Sequence, residues 1–170
     1  IKGVRDMVFL VSKVLPNNAS KQGTIQACER SLKKLGTDYH DLYLLHLRGS
    51  HAFSETVAAM TQLVRDGNIK QWGVSNMDVE EMEAFFSIPN GNTCATNQIA
   101  YNLTTRGIEY DLIPWSKEKS MPLMAYSPIG EGKLAKNELL AEIAQKHKSS
   151  PTQVALAWVL RNPEMIAIPK

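Results

Sequence analysis

A chain of 170 residues, 44% hydrophobic and 21% charged, has ordinary globular composition and is long enough to bury a sizeable core in one domain. Its formal charge of +2 is spread over 19 basic and 17 acidic residues without long like-charge runs, which argues against a nucleic-acid or membrane footprint and leaves small anionic ligands open. No apolar run approaches the roughly 18 to 20 residues of a membrane span, and no signal-peptide pattern opens the chain. The two cysteines, Cys28 and Cys94, lie in apolar contexts without metal-type spacing, as buried reduced thiols of a cytoplasmic protein would.

In chain order, "MVFLVSKV" (Met7 to Val14) is a short β-rich run, and "TIQACERSLKKLG" (Thr24 to Gly36) places Ile25, Cys28, Leu32 and Leu35 at helical spacing, closed by Gly36. The strand "DLYLLH" (Asp41 to His46), a helix ending at Gly67, the strand "IKQWGVSN" and a helix from Asp78 follow. Then come "CATNQIAYN" as a fourth strand, "IEYDLIPWSKEKS" as a helix with an awkward Pro114, and "PLMAYSP" as a fifth strand. Helices at "NELLAEIAQKHK" and "PTQVALAWVLRN" precede "MIAIPK"; Ser150 is the expected cap of the second and Pro151 its first residue.

Six apolar strands alternating with helices predict an α/β fold with a parallel sheet covered on both faces. No G-x-G-x-x-G or P-loop follows a strand, so a (β/α)8 barrel is favoured over an open dinucleotide-binding sheet. A closed barrel typically takes about 250 residues. The chain is therefore expected to be one barrel domain over 1–170 holding about six of eight β/α units, strands 3 to 8, and to be incomplete at both ends.

Each strand ends on polar groups: Lys13, His46, Ser75 with Asn76, Gln98, Tyr126 with Ser127, and Lys170. In a barrel all carboxyl ends share the catalytic face, so these groups would converge. Two blander readings stand beside this one: a core histidine at His46, and Ser75 as a cap for the helix at Asp78. There is no carboxylate pair, no H-E-x-x-H, no G-x-S-x-G and no metal-type cluster, so hydrolysis and metal chemistry are unsupported and no metal is expected. Amides, hydroxyls and an aromatic ring suit a planar cofactor bearing a carboxamide: Asn76 and Gln98 to bond it, Tyr126 to stack, and Lys170 to pair with a phosphate.

The motifs "VFLVSK", "ERSLKKLGTDYHDLYLLH", "GNIKQWGVSN", "ATNQIAYN", "MPLMAYSPIG" and "QVALAWVLRN…IAIPK", in order over nearly the whole chain, resemble the aldo-keto reductase family, in particular its bacterial branch of small-aldehyde and methylglyoxal reductases. The resemblance implies a barrel that binds NADP(H) in extended form and reduces the carbonyl of small aldehydes or ketones to alcohols. It makes Lys13 and His46 catalytic, and assigns the cofactor to Ser75, Asn76, Gln98, Tyr126, Ser127, Ile129 and Lys170. Leu47 stands where many members carry tryptophan and is expected to line the substrate pocket. The "GEGKLAKN" stretch after Ile129 is short for a cofactor clamp. The family's catalytic aspartate and tyrosine would fall upstream of Ile1, so the chain alone is expected to lack them. The implied partner is a small carbonyl substrate, with no nucleic acid or membrane, and the protein is expected to be a cytoplasmic monomer. Two alternatives are a cofactor-binding regulatory or inactive fragment of the same family, and a barrel isomerase or aldolase using Lys13 as a Schiff-base lysine.

Overall fold

The computed structural model describes residues 3–169, which fall into two compact units divided between Thr96 and Asn97. In the first, β1 (Val11–Val14), β2 (His40–Leu45) and β3 (Ile69–Ser75) pair in parallel in that order, and α1 (Lys21–Leu35), α2 (Phe53–Arg65) and α3 (Val79–Phe86) follow them in turn. All of β2 is buried, the polar His40 and Asp41 at its start as well as the apolar run from Leu42 to Leu45. Leu44, Met60 and Leu63 are 1% exposed or less, each contributing roughly 2 kcal/mol of hydrophobic burial.

Local signals set the helix ends. Ser20 caps α1 by accepting from the Gly23 amide, and Gly36 ends it at φ 64°, a left-handed conformation open to glycine without a Cβ penalty. The expected strand from Met7 begins only at Val11. Arg5–Met7 form a 3-10 turn, and the Leu10 amide donates to the Asp41 carboxylate at 2.8 Å instead of to a strand. Met7 and Phe9 are 83% and 66% exposed in this chain.

In the second unit β4 (Asn97–Ala100), β5 (Leu123–Tyr126) and β6 (Met165–Ile168) pair in parallel, with α4 (Leu112–Glu118) between the first two and α5 (Glu138–Lys146) and α6 (Pro151–Val159) between the last two. The helix expected from Ile108 is divided into a 3-10 turn at Gly107–Glu109 and α4. Pro114 thereby falls in the first turn of α4, where an amide has no intrahelical acceptor to lose. Ser150 and Pro151 start α6 as their order predicts, with Gln153 completing a capping box. Among the described residues each pair of successive strands is joined through one α-helix, except β5 and β6, which are joined through two, the connectivity expected of a partial barrel.

Candidate active site

Side-chain alternation assigns the two faces of the first sheet. Ser12 Oγ lies 3.4 Å from Ser31 Oγ of α1, and the Trp72 ring packs on Phe85 of α3, so these positions face the helices. Residues of opposite parity turn away from the helices. The register Lys13↔Leu44↔Gly73 puts Lys13 on that second face, and the next row outward holds His46 and Ser75. Gly73 belongs to this row for a steric reason: a Cβ there would come within 2.8 Å of the Leu44 side chain and 2.5 Å of the Thr96 carbonyl oxygen.

The first unit therefore brings Lys13, His46 and Ser75 to one face at the carboxyl ends of its strands. His46 lies one residue beyond β2, its amide bonded to the Val14 carbonyl at 3.0 Å. Asn76, one residue beyond β3, is left-handed at φ 59°, which costs a non-glycine residue about 1 kcal/mol. Its Nδ2 donates to the His46 carbonyl and to Ser75 Oγ, both at 3.1 Å, so that one carboxamide ties two strand ends together. Among the described residues neither the Lys13 ammonium nor the His46 imidazole has a hydrogen bond or ion pair. Partial burial lowers the Lys13 pKa from its usual value. Leu47, 40% exposed, follows directly. The helix at Asp78 does not use Ser75 as its cap: Asp78 itself accepts from the Glu81 amide at 2.8 Å, and Glu81 returns the bond in a capping box. That reading of Ser75 is corrected, because capping requires the residue adjoining the first helical turn.

In the second unit Gln98 and Tyr126 lie on the same face, as the rows Gln98↔Met124↔Ile166 and Ala100↔Tyr126↔Ile168 are two residues apart. Gln98 is buried, with Nε2 3.9 Å from Met124 Sδ. Ser127, directly after β5, is left-handed at φ 50° and starts a turn closed by the Gly130 amide on the Ser127 carbonyl at 2.9 Å. Ile129 packs its side chain against the cluster of Leu134, Leu140 and Ala155, anchoring this turn to the helices behind it. A cavity of about 320 Å³ opens between the ends of β4 and β5, lined by Tyr126, Ser127, Thr104, Gly130 and Lys133 among others. Lys170 lies outside the described residues.

One buried polar residue at a strand end carries no role in the sequence reading. Asn102, 4% exposed, donates from Nδ2 to the Ser127 carbonyl at 3.0 Å and accepts at Oδ1 from the Thr104 amide and hydroxyl and from the Thr105 amide. The signal available was an asparagine closing the "ATNQIAYN" strand. Its partner lies 25 residues away and is not visible locally.

Other ionisable groups are held by their neighbours. Asp41 takes Arg5 at 2.8 Å, Lys70 at 3.1 Å and the Leu10 amide. Those donors outweigh its desolvation and pull its pKa down to about 2. Glu109 is gripped by Arg106 at 2.6 Å, Tyr101 Oη at 2.6 Å and Arg161 at 3.0 Å, and is likewise lowered to about 2. Burial pushes the Cys28 and Cys94 thiols up to about 12, which makes both poor nucleophiles. Among the described residues no group of three or more His, Cys, Asp or Glu is placed to hold a metal ion, and no helix is long and apolar enough to cross a membrane.

Comparison with known proteins adds a family to this geometry. The model of the Aldo/keto reductase family matches residues 1–170. Methylglyoxal reductase YeaE of Escherichia coli (strain K12) is 53% identical over 175 residues, covering 100% of this chain and 62% of the relative. Glyoxal reductase of Bacillus subtilis (strain 168) is 35% identical over 166 residues, covering 98% of this chain and 59% of the relative. A crystal structure of an aldo/keto reductase from Klebsiella pneumoniae in complex with NADP and acetate superposes with a TM-score of 0.97 at 47% identity, covering 100% of this chain and 62% of that one. The chain thus spans about three-fifths of the length of the relatives it matches.

Proposed function

The chain belongs to the aldo/keto reductase family and carries part of a (β/α)8 barrel, and on that premise we propose that its protein is an NADPH-dependent oxidoreductase reducing small aldehydes or ketones to alcohols. The observation that carries the reading is the placement of Lys13, His46 and Ser75 on the helix-averted face at strand carboxyl ends, with the Lys13 and His46 side chains not engaged by other described residues. The names of the relatives, a methylglyoxal and a glyoxal reductase, support small dicarbonyls as the substrate class.

The donor set fits the cofactor. In the first unit Ser75 and Asn76 carry hydroxyl and amide groups of the kind that bond a carboxamide; in the second, Gln98 carries a further amide and Tyr126 a ring face. Ser127 and Gly130 border a cavity that both Lys133 and Glu131 also line, and Ile129 anchors the turn between them from behind; we propose this turn, with the Lys133 charge, as the setting for phosphate oxygens. Lys170 is proposed as the contact for the 2′-phosphate. Bound NADPH supplies the hydride for the carbonyl carbon. His46 donates an N–H to the carbonyl oxygen and so stabilises negative charge as it develops there. Lys13 contributes a cation that favours deprotonation of a phenol brought beside it, the arrangement the family resemblance implies for proton delivery. Leu47 forms part of an apolar wall for the substrate.

The test is loss of NADPH absorbance with a panel of small aldehydes and dicarbonyls, using the full-length protein. Turnover is expected. Cofactor binding without turnover on any carbonyl would replace this reading with a cofactor-binding regulatory one. Covalent trapping of a ketone on Lys13 by borohydride would replace it with Schiff-base chemistry.

A further inference from the structure

The turn after β5 begins on a residue whose backbone conformation is unfavourable for a side chain bearing a Cβ. Ser127 at φ 50° persists only where its surroundings over-determine it. Two donors meet on its carbonyl oxygen: the Gly130 amide at 2.9 Å, closing the turn, and Asn102 Nδ2 at 3.0 Å, arriving from the end of β4. Asn102 is itself immobilised. Its Oδ1 accepts from the Thr104 amide at 2.9 Å, the Thr104 hydroxyl at 2.8 Å and the Thr105 amide at 3.0 Å, and its backbone forms a bridge with Thr105. One buried carboxamide thus fastens the loop after β4 to the turn after β5, along the wall of the 320 Å³ cavity.

We propose that Asn102 is a positioning residue for cofactor binding, holding the Ser127–Gly130 turn in the conformation that receives the cofactor's phosphate groups; this rests on the NADPH reading above. Asn102 touches no reacting atom. It acts through Ser127, so its effect must disappear when residue 127 no longer needs to be held. Glycine adopts positive φ freely, which makes Ser127→Gly the background that isolates this coupling.

The experiment measures NADPH affinity by fluorescence titration, and hydrogen exchange of the Gly130 amide, in the full-length protein and in Asn102→Ala, Ser127→Gly and the double variant. Asn102→Ala is expected to raise the NADPH Kd about tenfold, the consequence of one lost hydrogen bond to the half-buried Ser127 carbonyl. It should also speed Gly130 exchange, while kcat at saturating NADPH changes by less than about threefold. In the Ser127→Gly background the same substitution should cost less than about twofold, the signature of coupled sites.

An unchanged Kd in Asn102→Ala with a lowered melting temperature, or an equal loss in both backgrounds, overturns the proposal. Should Asn102→Ala fail to fold, Asn102→Asp keeps the acceptor for Thr104 and Thr105 and removes the donor to Ser127. Unaltered Gly130 exchange in that variant overturns the proposal too. Absence of NADPH binding by the unsubstituted protein overturns the functional reading and the cofactor role of Asn102 with it, whereas normal binding with normal Gly130 exchange in both Asn102 variants overturns this inference alone.

Discussion

Strand β2 opens on a histidine and is followed by another, the same chemistry in different settings. His40, its first residue, is 0% exposed, stacks on Tyr43 at 5.4 Å, and has neither ring nitrogen hydrogen-bonded among the described residues. Burial, reinforced by the Arg5 charge, lowers its pKa and keeps the ring neutral. His46, one residue past the other end, is only half-buried and shares its row with Ser75. Beside His40 the charges are saturated: Asp41 is enclosed by Arg5, Lys70 and the Leu10 amide. Toward His46 the nearby Lys13 cation has no partner among the described residues. The histidine at the strand's amino end is packed into the core, and the one at its carboxyl end, unengaged among the described residues, is the one proposed to meet a ligand, as the division of labour in parallel barrels would have it.

The sharpest break would come at His46. His46→Gln is expected to lower single-turnover hydride transfer by about 10² or more while NADPH affinity and melting temperature stay near those of the unsubstituted protein. Lost stability with unchanged chemistry would return His46 to the core. Second in size, Asp41→Asn should destabilise by roughly 2 to 3 kcal/mol, a buried carboxylate exchanged among three donors, with no change in turnover per folded molecule. The sign in pH follows from the depressed folded pKa of about 2 against an ordinary value of 3.8. The Asp41 contribution is complete above that ordinary value and is lost as pH falls toward 2, so the gap in melting temperature between the two proteins should narrow over that window.

Lys170 extends the comparison to a cation whose counter-charge the ligand would supply. Lys170→Met should weaken NADPH about tenfold more than NADH, as for one charge-assisted phosphate contact; equal losses for both cofactors would reject the assignment. The smallest effect is expected at His40. His40→Leu should leave turnover intact and change stability at pH 7 by less than about 1 kcal/mol, since it removes an unpartnered polar ring from the core. With a folded pKa below 6.5, His40 makes the unfolded state bind more protons in acid, so stability falls as pH drops below 6.5. Thermal melts at pH 7 and pH 5 should show that slope reduced in His40→Leu.

Helix boundaries were legible wherever a local signal sets them. Ser150 with Pro151 and Gly36 act within one turn of the residues they control, so their meaning survives without tertiary context. The strand starts at Val11 and not at Met7 because the amide before it, that of Leu10, is bonded to the Asp41 carboxylate, a partner 31 residues away that apolarity does not report. Ser75 could be taken as a cap because serine is a good one, yet Asp78 stands closer to the first turn. The strand-end groups of the candidate site were legible through periodicity and resemblance. The left-handed backbone at Asn76 and Ser127, and the Asn102 carboxamide that holds the second of them, were not, because both depend on partners far along the chain.

Of the six non-glycine residues with positive φ among the described residues, four fall into two kinds: Ser120 and Lys148 just beyond α4 and α5, and Asn76 and Ser127 just beyond β3 and β5. A thermostabilisation screen judging backbone alone would nominate glycine at all four, each relieving about 1 kcal/mol of conformational cost. At Ser120 and Lys148 that gain comes without loss of a proposed ligand contact. At Asn76 and Ser127 glycine would yield a sturdier protein that grips its cofactor less well, so directed evolution for heat tolerance and for activity should diverge at these two positions.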